Sequence, residues 1–277
     1  MATAAPGRIG AIHQHLAMDS TPVAAAAPPA LSVFSGAGSA VPIAYRDVGP
    51  PGAPAVLFIP GVGGRGDIFD HHLADLSGEY RCIALDNRGT GGSGKPTLSY
   101  TIDDMARDAL DLLGELLGAG TSATVVGQSM GGMIAQRMAV LEPERVRSVV
   151  LCSTVSWCDG RTDAYWASLP LLAAALPPAD FTKALLPWLF GKATLEDPTN
   201  PLLVATLAGI SSAVPTPAHT WALQIAAMLA FDSRPFLSQI TQPALVTVGT
   251  DDIGTPPHQA EYLSAHITSK ARLHQFD

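Results

Sequence analysis

The chain has 277 residues, 47% of them hydrophobic and 14% charged, with a formal net charge of −8. That length suits one large α/β domain with an insertion, burying roughly three quarters of its unfolded surface. The acidic balance without a Lys/Arg cluster argues against nucleic acid as a partner. The three cysteines, Cys82, Cys152 and Cys158, stand at irregular spacing, which is no disulfide framework and fits a reduced, cytoplasmic setting.

Residues 1–30 are rich in Ala and Pro and lack a basic stretch followed by an apolar core, so they read as a disordered tail rather than a secretory signal. No run of 18 residues is apolar enough to span a membrane. From residue 31 the chain alternates. Leu31 to Phe34 and Val41 to Arg46 read as opening strands. Val56 to Ile59, Arg81 to Leu85, Thr124 to Val126, Val146 to Cys152, Ala244 to Val248 and Ala271 to Phe276 are further apolar or β-branched runs. Helical patterns fall between them, at Ile102 to Leu117 and Met130 to Leu141. Strands alternating with helices predict an α/β fold with a mostly parallel, doubly covered sheet. Ligands in such sheets bind at the carboxyl ends of the strands.

Between about Thr154 and Pro235 the alternation stops. The stretch is helical in character, broken by Pro170, Pro177-Pro178, Pro187, Pro198, Pro201, Pro215 and Pro217, and it holds all four tryptophans. An insertion between two strands, at the ligand edge, predicts a helical cap over 154–235 and an apolar pocket for a small molecule. No His/Cys/carboxylate group has metal-ligand spacing, and His71-His72 read as solvated surface.

The run Thr124-Val125-Val126-Gly127-Gln128-Ser129-Met130-Gly131-Gly132-Met133 carries the chemistry. A strand turning sharply into a helix holds its central residue in a strained conformation with the side chain projecting. Gly127 and Gly131, two positions before and after, let the flanking chains pass close together. Ser129 then stands at a helix N-terminus, where backbone N–H groups favour developing negative charge. This spacing predicts a nucleophile elbow.

With these motifs in order, the chain resembles the α/β-hydrolase fold superfamily from about Val41 to Asp277. Pro60-Gly61-Val62-Gly63-Gly64 is similar to that family's oxyanion loop, with Pro60 in place of the usual histidine. Asp86-Asn87-Arg88-Gly89-Thr90-Gly91-Gly92-Ser93 is similar to its Asp-x-Arg-Gly-x-Gly-x-Ser turn. That turn is read as structural, with phosphate binding by Arg88 as the alternative. The resemblance implies oxyanion donors on the backbone of Val62 and Met130, no metal and no cofactor. Val248-Gly249-Thr250-Asp251-Asp252 is similar to the strand end that carries the triad acid. The register three positions after the glycine selects Asp252, with Asp251 as fallback. The family's histidine follows the last strand, where this sequence has Asp277. The catalytic histidine is therefore expected to be absent from this chain, with truncation as the economical reason. His274, His258 and His219 are each weighed as substitutes and set aside.

The wording of the motifs is most similar to esterases and lactonases of the 3-oxoadipate enol-lactonase type. The resemblance implies acyl transfer on a small apolar ester or lactone. A non-catalytic binding protein or pseudoenzyme is the alternative from another class. A cofactor-free haloperoxidase, C–C hydrolase, lyase or cyclase on the same fold is a further one. The sequence carries no signal for oligomeric state.

Overall fold

A strand covered on both faces offers no side to water and so reads as an unbroken apolar run. Ala55–Ile59 is such a strand, buried at every position. The computed structural model describes residues 30–36, 41–200, 203–204, 206, 215–268 and 271–277. The strands are β1 (Ser32–Phe34), β2 (Ile43–Val48), β3 (Ala55–Ile59), β4 (Arg81–Leu85), β5 (Ala123–Gln128), β6 (Val146–Cys152), β7 (Ala244–Gly249) and β8 (Arg272–Phe276). They form one sheet in the order β1-β2-β4-β3-β5-β6-β7-β8. β2 pairs antiparallel with β1 and β4, and the remaining pairs are parallel. This is the mostly parallel α/β sheet expected from the alternation. The tail expected over 1–30 falls, apart from residue 30, outside the described residues.

β2 starts two residues later than the sequence pattern suggested. Pro42 has no N–H to give a ladder, and its carbonyl accepts instead from the Gly94 N–H at 2.8 Å. The strand then runs on through Asp47 and Val48, which pair with Ile83 and Cys82.

The helices that cover the sheet are α1 (Asp70–Leu76), α2 (Ile102–Leu117) and α3 (Met130–Leu141). Alternate residues of β3 serve opposite faces. Leu57 and Ile59 join the main core with Met105, Leu113 and Ile134 of α2 and α3. Val56 and Phe58 pack with Phe69 and with Leu73 of α1. The start of α2 is set by a capping box: Thr101 Oγ1 accepts from the Asp104 N–H, and the Asp104 carboxylate accepts from the Thr101 N–H. Among the described residues no helix is long and apolar enough to cross a membrane.

The stretch between β6 and β7 contains α4 (Gly160–Ala175), α5 (Pro178–Leu189), α6 (Lys192–Glu196) and α7 (Ala218–Leu229); α8 (Pro257–His266) follows β7. Pro170 and Pro187 do not break helices as expected, since α4 and α5 run through them. Burial of Tyr165, Trp166 and Leu169 on α4, and of Leu185 and Leu186 on α5, outweighs the one hydrogen bond each proline removes. Pro178 begins α5, where its missing N–H costs nothing. Asp159 caps α4, accepting from the Thr162 N–H at 3.0 Å, and its other oxygen meets His258 Nε2 of α8 at 2.8 Å.

Arg88 is structural. Its guanidinium makes a two-point pair with Asp108 of α2, at 2.6 and 2.7 Å, and a further bond to the Asp104 carbonyl at 3.3 Å. With these donors committed and the pair largely buried, the alternative role in phosphate binding is not supported. Replacing Arg88 with Met leaves a buried carboxylate without this partner, and should cost about 3 kcal/mol or more in urea unfolding. Asp159→Ala should cost about 1 kcal/mol through loss of the cap. Burial pushes the Asp159 carboxyl up, but the Thr162 N–H and the His258 ring outweigh it and bring the pKa down to about 2. A depressed carboxyl stabilises above its ordinary value of 3.8 and loses that contribution as the pH falls towards about 2. The stability gap between wild type and Asp159→Ala should therefore narrow over that interval.

Candidate active site

β5 ends at Gln128 and α3 begins at Met130, so Ser129 is the whole of the turn between strand and helix. Its backbone sits at φ 54° and ψ −118°, a conformation that L-residues rarely adopt. Three hydrogen bonds hold it there. The Ser129 N–H donates to the Cys152 carbonyl at 2.9 Å, and the Ser129 carbonyl accepts from Thr154 Oγ1 at 2.6 Å and from the Gly132 N–H at 2.9 Å. Gly127 and Gly131 lie where flanking backbone comes close. A Cβ on Gly127 would overlap the Gly131 carbonyl, and one on Gly131 would overlap the Ile59 carbonyl. The strand, the turn and the helix therefore close up to backbone contact, leaving the Ser129 side chain at the carboxyl end of the central strands.

The loop after β3 lies against this turn. A Cβ on Gly61 would sit 3.1 Å from Ser129 Cβ. Most polar groups of the loop are bound. The Pro60 carbonyl accepts from Asn87 Nδ2 at 2.9 Å, and the Gly61 N–H donates to Gln128 Oε1 at 3.0 Å. The Gly64 N–H donates to the Gly61 carbonyl at 3.1 Å, and the Gly63 N–H to Gln224 Oε1 at 2.7 Å. The Gly63 carbonyl accepts from Thr216 Oγ1 at 2.9 Å. Val62 is the exception: among the described residues its N–H has no hydrogen-bond partner. The Met130 N–H is likewise unpaired, being the first of its helix.

Asp252 and Asp251 lie in the turn after β7 and face different surroundings. The Asp252 carboxylate accepts from the Gly254 N–H at 3.0 Å, the Thr255 N–H at 2.7 Å and Thr255 Oγ1 at 2.7 Å. Asp252 is half-buried and near Tyr165 of α4, whose hydroxyl is pushed up by burial and then by the Asp252 charge. Asp251 is exposed, and its carboxylate accepts from the Lys192 N–H of α6 at 3.4 Å.

The histidines lie elsewhere. His258 pairs with Asp159, and His266 Nδ1 meets the Tyr262 carbonyl at 2.8 Å. His219, His274, His71 and His72 are exposed. Among the described residues neither Ser129 nor Asp252 receives a hydrogen bond from an imidazole.

The inserted helices touch both sides of this arrangement. Trp221 of α7 stacks edge-on to Phe181 of α5 at 4.9 Å and occupies the space beside Gly63, whose φ of +67° only a glycine holds easily. Trp188 stacks on Tyr165 at 3.9 Å, and Trp166 borders Gly254 in the turn after β7. Trp157 is separate, packed on Tyr262 of α8 under Arg234. Gln224 and Thr220 did not stand out in the sequence. The available signal was a lone glutamine in the apolar run from Trp221 to Met228.

A strand-turn-helix serine, a glycine loop against it and a carboxylate at a neighbouring strand end agree with what comparison finds. The chain belongs to the α/β-hydrolase fold family, whose model matches residues 54–277. It is 30% identical to 3-oxoadipate enol-lactonase 2 of Acinetobacter baylyi over 228 residues, 82% of each chain. It is 28% identical to the pimeloyl-[acyl-carrier protein] methyl ester esterase of Nitrosomonas europaea, over 79% of this chain and 85% of that one. The crystal structure of the enol-lactonase from Burkholderia xenovorans superposes with a TM-score of 0.77 at 27% identity, covering 89% of this chain and 91% of the other. The chain is thus a hydrolase of that family.

The strain at position 129 is measurable. Ser129→Gly relieves the positive φ, whereas Ser129→Ala removes the hydroxyl and keeps it. The glycine variant should be the more stable of the two by about 1 kcal/mol in urea unfolding, after its own entropy cost. Gly131→Ala, which forces a methyl against the Ile59 carbonyl, should lose about 1–3 kcal/mol.

Proposed function

We propose that the protein is a serine-nucleophile hydrolase of a small apolar ester or lactone. The observation that carries the reading is the pair of unpaired N–H groups at Val62 and Met130, on the two segments that meet at Ser129. Neighbouring amides on the loop are bound, so a vacant donor there fits a site for a transient oxyanion. In this reading Ser129 Oγ bonds to the substrate carbonyl carbon and gives its proton to solvent, and the Val62 and Met130 N–H groups hold the resulting oxyanion. Its collapse breaks the bond to the alcohol or ring oxygen, which leaves and takes up a proton from water. The acyl-serine then yields to water. Asp252 is the triad acid, whose task is to orient an imidazole and stabilise its charge. Its donors at Gly254 and Thr255 fix the carboxylate, while Asp251 is occupied at α6. Helices α4 to α7 form the cap. The aromatic rings of Tyr165, Trp188, Phe181 and Trp221 support an apolar acyl or ring-shaped substrate. The names of the enol-lactonase and methyl ester esterase relatives agree with that class. No cofactor is required.

The base is the part of the reading that favours the second one, a binding protein that keeps the pocket but not the proton acceptor. The described histidines are bonded elsewhere or exposed, so none of them is assigned the role.

Hydrolysis of p-nitrophenyl acetate and of a simple γ-lactone tests this. Ser129→Ala should lower the rate to what the oxyanion donors and binding supply on their own, about 10³–10⁴-fold over water at most. Asp251→Asn should change little. His219→Ala and His258→Ala should leave the rate in place; a collapse in either would identify that histidine as the base. A binding protein would show ligand affinity with no Ser129-dependent rate.

A further inference from the structure

Gln224 is fully buried in α7, where Thr220 is the other polar residue of the buried side. Its Oε1 accepts from the Gly63 N–H at 2.7 Å, and its Nε2 donates to the Arg88 carbonyl at 3.0 Å. Both ends of the amide are used, and the two partners settle which end is which. The side chain thus joins two loops of the sheet edge, the one after β3 and the one after β4, to a helix that lies about 160 residues further along the chain.

The place it grips matters. The Gly61–Val62 peptide has one peptide on each side. The Pro60–Gly61 peptide before it is held by Gln128 through the Gly61 N–H. The Val62–Gly63 peptide after it is held by Gln224 through the Gly63 N–H. Two soft dihedrals per residue separate these anchors, so fixing both, with the Gly61 carbonyl also accepting from the Gly64 N–H at 3.1 Å, leaves the intervening Gly61–Val62 amide little freedom. That amide carries the Val62 N–H. Removing the Gln224 acceptor would leave a part-buried donor unpaired. A loop of glycines can relieve that loss by turning.

We propose that Gln224 is a positioning residue for the oxyanion loop: it locks the Gly63 N–H so that the Val62 N–H stays unpaired beside Ser129. This rests on the function proposed above. It also makes the donor's geometry depend on how α7 is seated, so that α7 contributes to transition-state stabilisation as well as to covering the site. Gln224 touches no reacting atom and acts through Gly63.

The experiment compares Gln224→Met, which keeps the length and loses the acceptor, with Gln224→Glu, which keeps an acceptor for Gly63. Thr220→Val is the control, since it cuts another tie of the same helix, the 3.1 Å bond from Thr220 Oγ1 to the Gly89 carbonyl. On p-nitrophenyl acetate, Gln224→Met should lower kcat by about 10–100-fold with KM nearly unchanged. A trifluoromethyl ketone, bound as an oxyanion on Ser129, should weaken by a similar factor, and the parent methyl ketone should not. Gln224→Glu should recover most of kcat, and Thr220→Val should lower the melting temperature without lowering kcat. Amide hydrogen exchange at Gly63 should quicken in Gln224→Met alone. Should that variant fail to fold, Gln224→Asn, one methylene short of the loop, carries the same expectations. An unchanged kcat in Gln224→Met, or a loss in Thr220→Val matching that in Gln224→Met, would overturn the proposal. If the unsubstituted chain has no Ser129-dependent rate, the proposed function fails. Exchange at Gly63 then still decides whether Gln224 holds the loop, and no change there would overturn that too.

Discussion

The backbone of Ser129 is held at φ 54° between a strand and a helix, and the surrounding architecture is arranged to make that conformation affordable. A lone serine would relax out of it. Here the N–H is tied to β6 through Cys152 and the carbonyl to Thr154, so the turn cannot relax without breaking its bonds to the neighbouring strand and the segment after it. The glycines at 127 and 131 remove the side chains that would keep β5, α3 and β3 apart. The consequence is chemical. A hydroxyl, a helix N-terminus and the end of β3 are brought to one point, where unpaired N–H groups can serve a developing charge.

The rest of the site is organised by the same economy of backbone groups. The buried carboxylate of Asp86 shows it: one oxygen accepts from the Gly66 N–H and the other from the Gly92 N–H. Asn87 then secures the Pro60 carbonyl, and Arg88 anchors the turn to α2. The Asp-x-Arg-Gly turn is a brace under the loop after β3, and its charges are used up in that work. What it leaves unbraced, the Gly63 side, is taken by α7. The insertion is thereby continuous with the site in hydrogen bonding as well as in packing.

The two aspartates after β7 show how adjacent, chemically equal residues are separated by environment. Asp252 is half-buried, accepts from donors of its own turn and lies near Tyr165. Asp251 is turned to the start of α6 and to solvent. Of the two, Asp252 has the more fixed and the less exposed carboxylate.

Much of the fold was legible because parallel strands and amphipathic helices leave periodic marks. The eight strands fall on the apolar runs, and α2 and α3 keep the boundaries read from the chain. The strand–turn–helix at Ser129 was legible for a related reason. Its requirements, a small residue on either side of one serine, are local and leave a fixed spacing. The prolines at 170 and 187 were read as breaks because local propensity is all that a sequence window contains, and burial of Tyr165, Trp166 and the α5 leucines overrode it. Register alone separated Asp252 from Asp251, but the difference in their surroundings comes from α4 and α6, which are distant in the chain. Gln224 could not be placed at all. Its partners, Gly63 and Arg88, lie 161 and 136 residues away, and a hydrogen bond between distant segments exists only once the chain has folded.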